Sequence, residues 1–156
     1  MASFLDFTRN FSYYTIPAAW VLSIAPHVYA TSLHDNKSPE KKFNNCSPRT
    51  LVPSLDSNQS LDSETKQTII RAEAAQQNGF ENIGLFAAAV VAANAANVDS
   101  WWLNTLSFGY LGSRVVYNVL YIGGAGGART AAFLGGVGMI FTLFIQAGNK
   151  VRNAVL

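Results

Sequence analysis

The residues able to do chemistry are concentrated in Arg71-Ala-Glu-Ala-Ala-Gln-Gln-Asn78-Gly-Phe-Glu81-Asn82, a run that leads straight into Gly84-Leu-Phe-Ala-Ala-Ala-Val-Val-Ala-Ala. A helix turns about 100° per residue, so positions three, four and seven apart share a face. Arg71, Ala74, Asn78, Glu81, Asn82 and Leu85 then form one stripe, with Ile70, Phe80, Ile83 and Phe86 mostly elsewhere. Further along, Tyr110, Arg114, Tyr117 and Tyr121 line up in the same way. If the two segments run antiparallel, Glu81 and Arg114 lie at comparable depth, where a carboxylate and a guanidinium offset one another's desolvation. Arg129 opens a further helical segment, whose free backbone N–H groups add partial positive charge. The sum is a partly buried, net cationic pocket with phenols, suited to an anionic ligand that carries an ionisable group. The same residues also fit a structural role, holding two helices in register, and spacing alone does not separate the two.

The elements that must position these groups are membrane helices. The chain has 156 residues, 49% hydrophobic and only 13% charged, against roughly 25% charged in a soluble domain. Ionisable groups at bilayer depth are costly and usually paired or lining a cavity. About 20 apolar residues cross the hydrocarbon core, and four segments approach that: residues 11–33, 64–98, 101–122 and 129–147. The expected fold is all-α, an integral membrane four-helix bundle forming a single domain over residues 1–156. Pro17 and Pro26 are expected kinks in the first helix, with Tyr13, Tyr14, Trp20 and Tyr29 as interface anchors. Asp99 or Ser100 is the expected N-cap of the third. The second and third helices, joined only by Asn97-Val-Asp-Ser, should form an antiparallel hairpin. Residues 34–63, rich in Ser, Asn, Pro and Lys, read as a mobile polar loop.

Several functions are excluded or disfavoured at this stage. A net charge of +2 without a basic, aromatic-laced cluster gives no footprint for nucleic acid. A single cysteine, Cys46, allows neither an intrachain disulfide nor a cysteine metal cluster, and no metal site is expected. The run Gly123-Gly-Ala-Gly-Gly127 lacks the Lys-Ser/Thr ending and preceding strand of a phosphate loop, so it reads as a flexible turn. The start, Met1 to Arg9, has no basic region before an apolar core, and no cleaved leader is expected. Lys37, Lys41, Lys42, Arg49, Lys66 and Arg129 place the long loop in the cytosol by the positive-inside rule. Three glycosylation triplets in that loop, at Asn36, Asn45 and Asn58, argue the other way.

These residues resemble the MAPEG family, the membrane-associated proteins in eicosanoid and glutathione metabolism. The resemblance rests on Asn78-Gly-Phe-Glu81 in the second helix, on Arg114-Val-Val-Tyr117-Asn-Val-Leu-Tyr121 in the third, and on Arg129 shortly after. It implies a homotrimer, usually in the endoplasmic reticulum, with sites between subunits open to the cytosol and to lipid. It further implies that Asn78, Glu81, Arg114, Tyr117 and Tyr121 hold glutathione, with Arg129 stabilising the thiolate and Tyr121 and Glu81 beside it in the catalytic set. The chain departs from the mammalian pattern at Ala74, where an arginine is expected, and at Gln76, where a histidine is common. Arg71, one turn before Ala74, is the candidate replacement for that arginine.

The leading expectation is thus a membrane-bound, glutathione-dependent transferase, peroxidase or isomerase acting on a lipophilic electrophile. One alternative keeps the scaffold without glutathione, as an acid–base isomerase or cyclase on a hydrophobic metabolite. Another is a non-catalytic membrane scaffold. His27 and His34 have no assigned role from the sequence.

Overall fold

A computed structural model of the chain describes residues 8–154, so the stretch Met1 to Phe7 that bears on a leader lies outside the described residues. The described residues are helical, with no strand among them. In chain order the helices are α1 (Thr15–Lys37), the single turn α2 (Leu51–Ser54), α3 (Ser63–Ala95), α4 (Ser100–Ile122) and α5 (Gly126–Ala154). The long helix α3 is the hub, packing against α1, α4 and α5, while α4 lies along α5 and touches α1.

Proline placement explains how α1 survives two prolines. Pro17 falls in the first turn, where no intrahelical N–H is needed. Pro26 lies mid-helix, so the carbonyl of Leu22 four residues earlier has no N–H to receive. The side-chain amide of Asn118 on α4 fills that vacancy, donating to the Leu22 carbonyl at 2.9 Å. One bond therefore repairs the proline defect and locks α4 to α1. Nearby, α1 and α3 approach so closely at Gly79 that an added Cβ would sit 2.8 Å from Ser23 Oγ.

Helix α3 starts where Asp62 accepts a hydrogen bond from the Thr65 backbone N–H at 2.8 Å and one from the Thr65 hydroxyl at 2.7 Å. This satisfies an N–H that the first turn leaves without a partner. The helix ends at Ala95, and two residues on Asn97 takes a left-handed φ of 55°, a conformation asparagine tolerates. Asp99 is the N-cap of α4 by position, but its side chain makes no capping bond and instead meets Lys150 Nζ at 3.4 Å.

Two segments differ from the sequence reading. Residues 34–63 are not a free loop. Leu51, Leu55 and Leu61 are buried against Ala30, Ile69 and Ala72, forming a second apolar core at that end of the helices. Asn58 is buried too: its amide donates to Ser38 Oγ at 3.0 Å and its carbonyl oxygen accepts from Ser60. Three leucines scattered through Ser- and Asn-rich sequence carry no period, so only the tertiary contacts reveal them. The second difference is the glycine run. The turn is confined to residues 123–125, with Gly124 at φ +79°, and Gly126 and Gly127 already belong to α5. Arg129 consequently sits on a regular helix, its N–H bonded to the Ala125 carbonyl at 3.0 Å.

Among the described residues, α5 alone is both long and apolar enough to cross a membrane by composition. Helices α1, α3 and α4 run 23, 33 and 23 residues and so have the length, but their Ser, Asn, Tyr and charged residues dilute the apolar character. The outer surface tells more. Val115, Val116, Val119, Leu134, Phe141 and Ile145 are about half exposed or more, a density of bare aliphatic groups that marks contact with lipid or with another chain.

Candidate functional site

The polar face of α4 points inward. Asn104, Ser107, Tyr110, Arg114 and Tyr117 are all buried, as their three- and four-residue spacing requires. Asn104 is consumed structurally: its side-chain oxygen accepts from the Phe11 N–H at 2.8 Å, and its amide donates to the Arg9 carbonyl. Arg114 is the unusual member. It is 4% exposed, yet only Nη1 has a partner, the side-chain oxygen of Asn78 on α3 at 3.1 Å. Its Nε and Nη2 make no hydrogen bond among the described residues. The guanidinium carbon lies 5.1 Å from the Tyr110 ring centre, 5.0 Å from Tyr117 and 5.3 Å from Phe133 on α5. Cation–π attraction from these rings offsets part of the desolvation, but two buried donors stay unfilled, each costing about 1–3 kcal/mol.

Gly136 on α5 makes room for this group. An added Cβ there would lie 2.6 Å from Ser113 Oγ and 3.0 Å from Arg114 Nη2. From Arg114 the site continues towards the α4–α5 turn. Tyr117 meets Tyr121 edge-on with ring centres 5.4 Å apart, and the Arg129 guanidinium lies 4.3 Å above the Tyr121 ring. Tyr121 and Arg129 are half-buried, so this end reaches the surface.

The structure therefore gathers Asn78, Arg114, Tyr117, Tyr121 and Arg129 into one string across α3, α4 and α5. It does not bring in the other two candidates as expected. Glu81 does not pair with Arg114; it is exposed and accepts a hydrogen bond from Gln77 at 3.1 Å. Three residues on from Asn78 the helix has turned about 60° away, so Asn78 faces α4 and Glu81 faces outward at the rim. Arg71 does not reach Arg114's pocket. Its Nε donates to the Ile122 carbonyl at 2.9 Å and its Nη2 to Thr68 Oγ1 at 3.0 Å. There it holds the last turn of α4, with a positive charge at the negative end of that helix.

A second polar contact was invisible to the spacing argument. His27 Nδ1 on α1 lies 2.7 Å from Glu73 Oε1 on α3, with side chains 22% and 19% exposed. These residues are distant in sequence, and neither belongs to a polar stripe.

Fold and site together define a helical protein with an apolar outer surface and a buried, partly unfilled arginine. In agreement, residues 11–149 match the MAPEG family, and the chain belongs to that family. It is accordingly a membrane-integral protein related to glutathione and eicosanoid metabolism. No curated protein and no solved structure gave a significant match.

Proposed function

We propose that this chain is a multi-pass membrane enzyme that uses glutathione as a transferase, peroxidase or isomerase on a lipophilic electrophile. The observation that carries the reading is Arg114, a buried guanidinium with two unfilled donors beside Asn78. A carboxylate is the group whose geometry matches such a fork, through paired N–H···O bonds, and glutathione carries two of them. The donor set thus fits the tripeptide. Arg114 and Asn78 would hold a carboxylate, Tyr117 and Tyr121 would wall the pocket, and Glu81 at the rim would receive the amino group.

When bound, glutathione supplies a thiol nucleophile. Arg129, fixed on the first turn of α5 over the Tyr121 ring, is placed to favour the thiolate by its charge, and the Tyr121 hydroxyl to donate a hydrogen bond to it. Neither the Arg129 guanidinium nor the Tyr121 hydroxyl has another hydrogen-bond partner among the described residues.

A homotrimer is part of the proposal, with residues 34–63 cytosolic and the endoplasmic reticulum as the membrane. It is supported by the exposed edge of α3, where Gly84, Leu85, Ala88, Val91 and Ala95 form one uncovered stripe rich in small residues. That stripe begins at Glu81, so a neighbouring chain would close the rim of the site.

Calorimetric titration of the detergent-purified protein with glutathione tests the reading, alongside Arg114→Ala and Arg129→Ala. Saturable binding, weakened about tenfold or more by Arg114→Ala, is expected; tenfold corresponds to about 1.4 kcal/mol. Absence of binding by folded wild-type protein would overturn it.

A further inference from the structure

A second group of basic side chains gathers at the loop-side end of α1. Lys41, Lys42, Asn44 and His34 line a cavity of about 160 Å³, walled by Phe43 and Leu51. No carboxylate lines it among the described residues, and it shares no lining residue with the groove between α1 and α3 that Glu81 lines. The walls are held in place: Leu51 is buried in the second apolar core and Phe43 packs against that core. The donors are unused. Neither Lys41 nor Lys42 has an ion-pair partner among the described residues. The Asn44 side chain engages only through its oxygen, which accepts from the Cys46 N–H at 3.0 Å, so its amide hydrogens are free. His34 is 4% exposed; its Nδ1 lies 3.2 Å from Asp35 Oδ1, and its Nε2 has no partner among the described residues. Thr50 and Ser54 also line the cavity but give their hydroxyl protons to the Ser47 and Leu51 carbonyls.

Two ammonium groups, a buried imidazole and a free amide, with no acid among them, suit an anion. The cavity is smaller than the roughly 300–1,000 Å³ of sites for drug-sized molecules, so it takes a compact charged group rather than a whole metabolite. A phosphate monoester carries about −1.5 to −2 charges at pH 7 and three acceptor oxygens. Coulomb attraction to several cations favours it over a carboxylate or a phosphodiester, each with a single charge. With both ring nitrogens protonated, His34 donates through Nδ1 to Asp35 and through Nε2 to the phosphate, so the ring is held between two anions. Position supplies the source of the phosphate. Tyr29, 45% exposed on α1, is placed as an interface anchor, and His34 lies about 8 Å further along the helix towards the loop. That is headgroup depth, where basic pockets beside a membrane helix meet anionic lipids. We propose that this cavity binds the phosphate monoester headgroup of a membrane lipid. Lys41 and Lys42 anchor its charge, and His34 Nε2 and the Asn44 amide donate hydrogen bonds to its oxygens.

The test titrates the full-length protein in a non-ionic detergent, by calorimetry, with dioctanoyl phosphatidic acid, a lipid phosphate monoester. Dioctanoyl phosphatidylglycerol is the diester control with the same tails, and glycerol 3-phosphate is the soluble monoester. Wild-type protein should bind phosphatidic acid saturably and at least about tenfold tighter than the diester. Lys41→Ala and Lys42→Ala should each weaken that binding about fivefold, and His34→Gln about tenfold. Both lysines are exposed, so their variants decide the matter even if His34→Gln fails to fold in a melting profile. Lys37→Ala, at the same end of α1 but outside the cavity, should change the affinity less than about twofold. Equal affinity for glycerol 3-phosphate would uphold the phosphate site and make its ligand a soluble monoester. The proposal is wrong if folded wild-type protein binds the monoester no tighter than the diester. It is equally wrong if Lys37→Ala costs as much as Lys42→Ala, the mark of a diffuse basic surface. Glutathione is absent throughout, so either result leaves the Arg114 reading to its own test.

Discussion

Arg114 and Gly136 have to be considered as a pair. The guanidinium occupies the space that a side chain on Gly136 would need, 3.0 Å from Nη2, and Ser113 Oγ is closer still at 2.6 Å. Gly136→Ala should therefore push the ends of both side chains away rather than open the backbone. The expected result is a glutathione affinity at least about tenfold weaker with a modest fall in melting temperature, read by titration and thermal melting of the same sample. Asn118 acts differently, because its partner is a backbone carbonyl orphaned by Pro26. Asn118→Ala leaves the Leu22 carbonyl unfilled where water is scarce, and a loss of about 1–3 kcal/mol is expected. Restoring a residue with an N–H at position 26 should recover part of that loss in a double-mutant cycle.

At the level of elements, the ends of the helices carry the electrostatics that the sequence had suggested for the site. Arg71 closes the C-terminus of α4, and Asp62 opens α3. The Thr65 backbone N–H, then the Thr65 hydroxyl, hold the Asp62 carboxyl below its ordinary value of 3.8. The cap works while ionised. Its contribution is thus fully present above the ordinary carboxylate value and is lost as the pH falls through the lowered one. Asp62→Ala should melt below wild type at neutral pH, and the difference should close as the pH is taken under 3.8. A difference that persists in acid would mean that the cap is not carried by charge.

For the whole molecule, the stretch 34–63 changes from a tether into part of the fold. Leu55 is fully buried beneath α1 and α3, so Leu55→Ala should cost about 2–5 kcal/mol. It should also loosen the segment around the already exposed Lys41, Lys42 and Arg49, seen as faster trypsin cleavage in limited proteolysis. Unchanged cleavage would mean that the leucines do not hold this segment. The same packing bears on the Asn58 triplet, because an amide engaged with Ser38 and Ser60 is closed to modification in the folded protein.

The sequence by itself determined the four long helices, the inward polar stripe of α4 and the family. Each follows from a local period or a fixed spacing, and Arg114, Tyr117 and Tyr121 could be placed on one face without coordinates. Their burial and the link to Asn78 follow from how α4 meets α3, and the expected partner, Glu81, lay about 60° too far round. Arg71 was legible as a cation on the stripe but not as the cap of a helix 51 residues away. The His27–Glu73 pair, separated by 46 residues, left no sequence signal at all. Periodicity reports which way a side chain points along its own helix. Which group it meets depends on where the next helix lies, and that is set by Gly79, Pro26 with Asn118, and the buried leucines acting together.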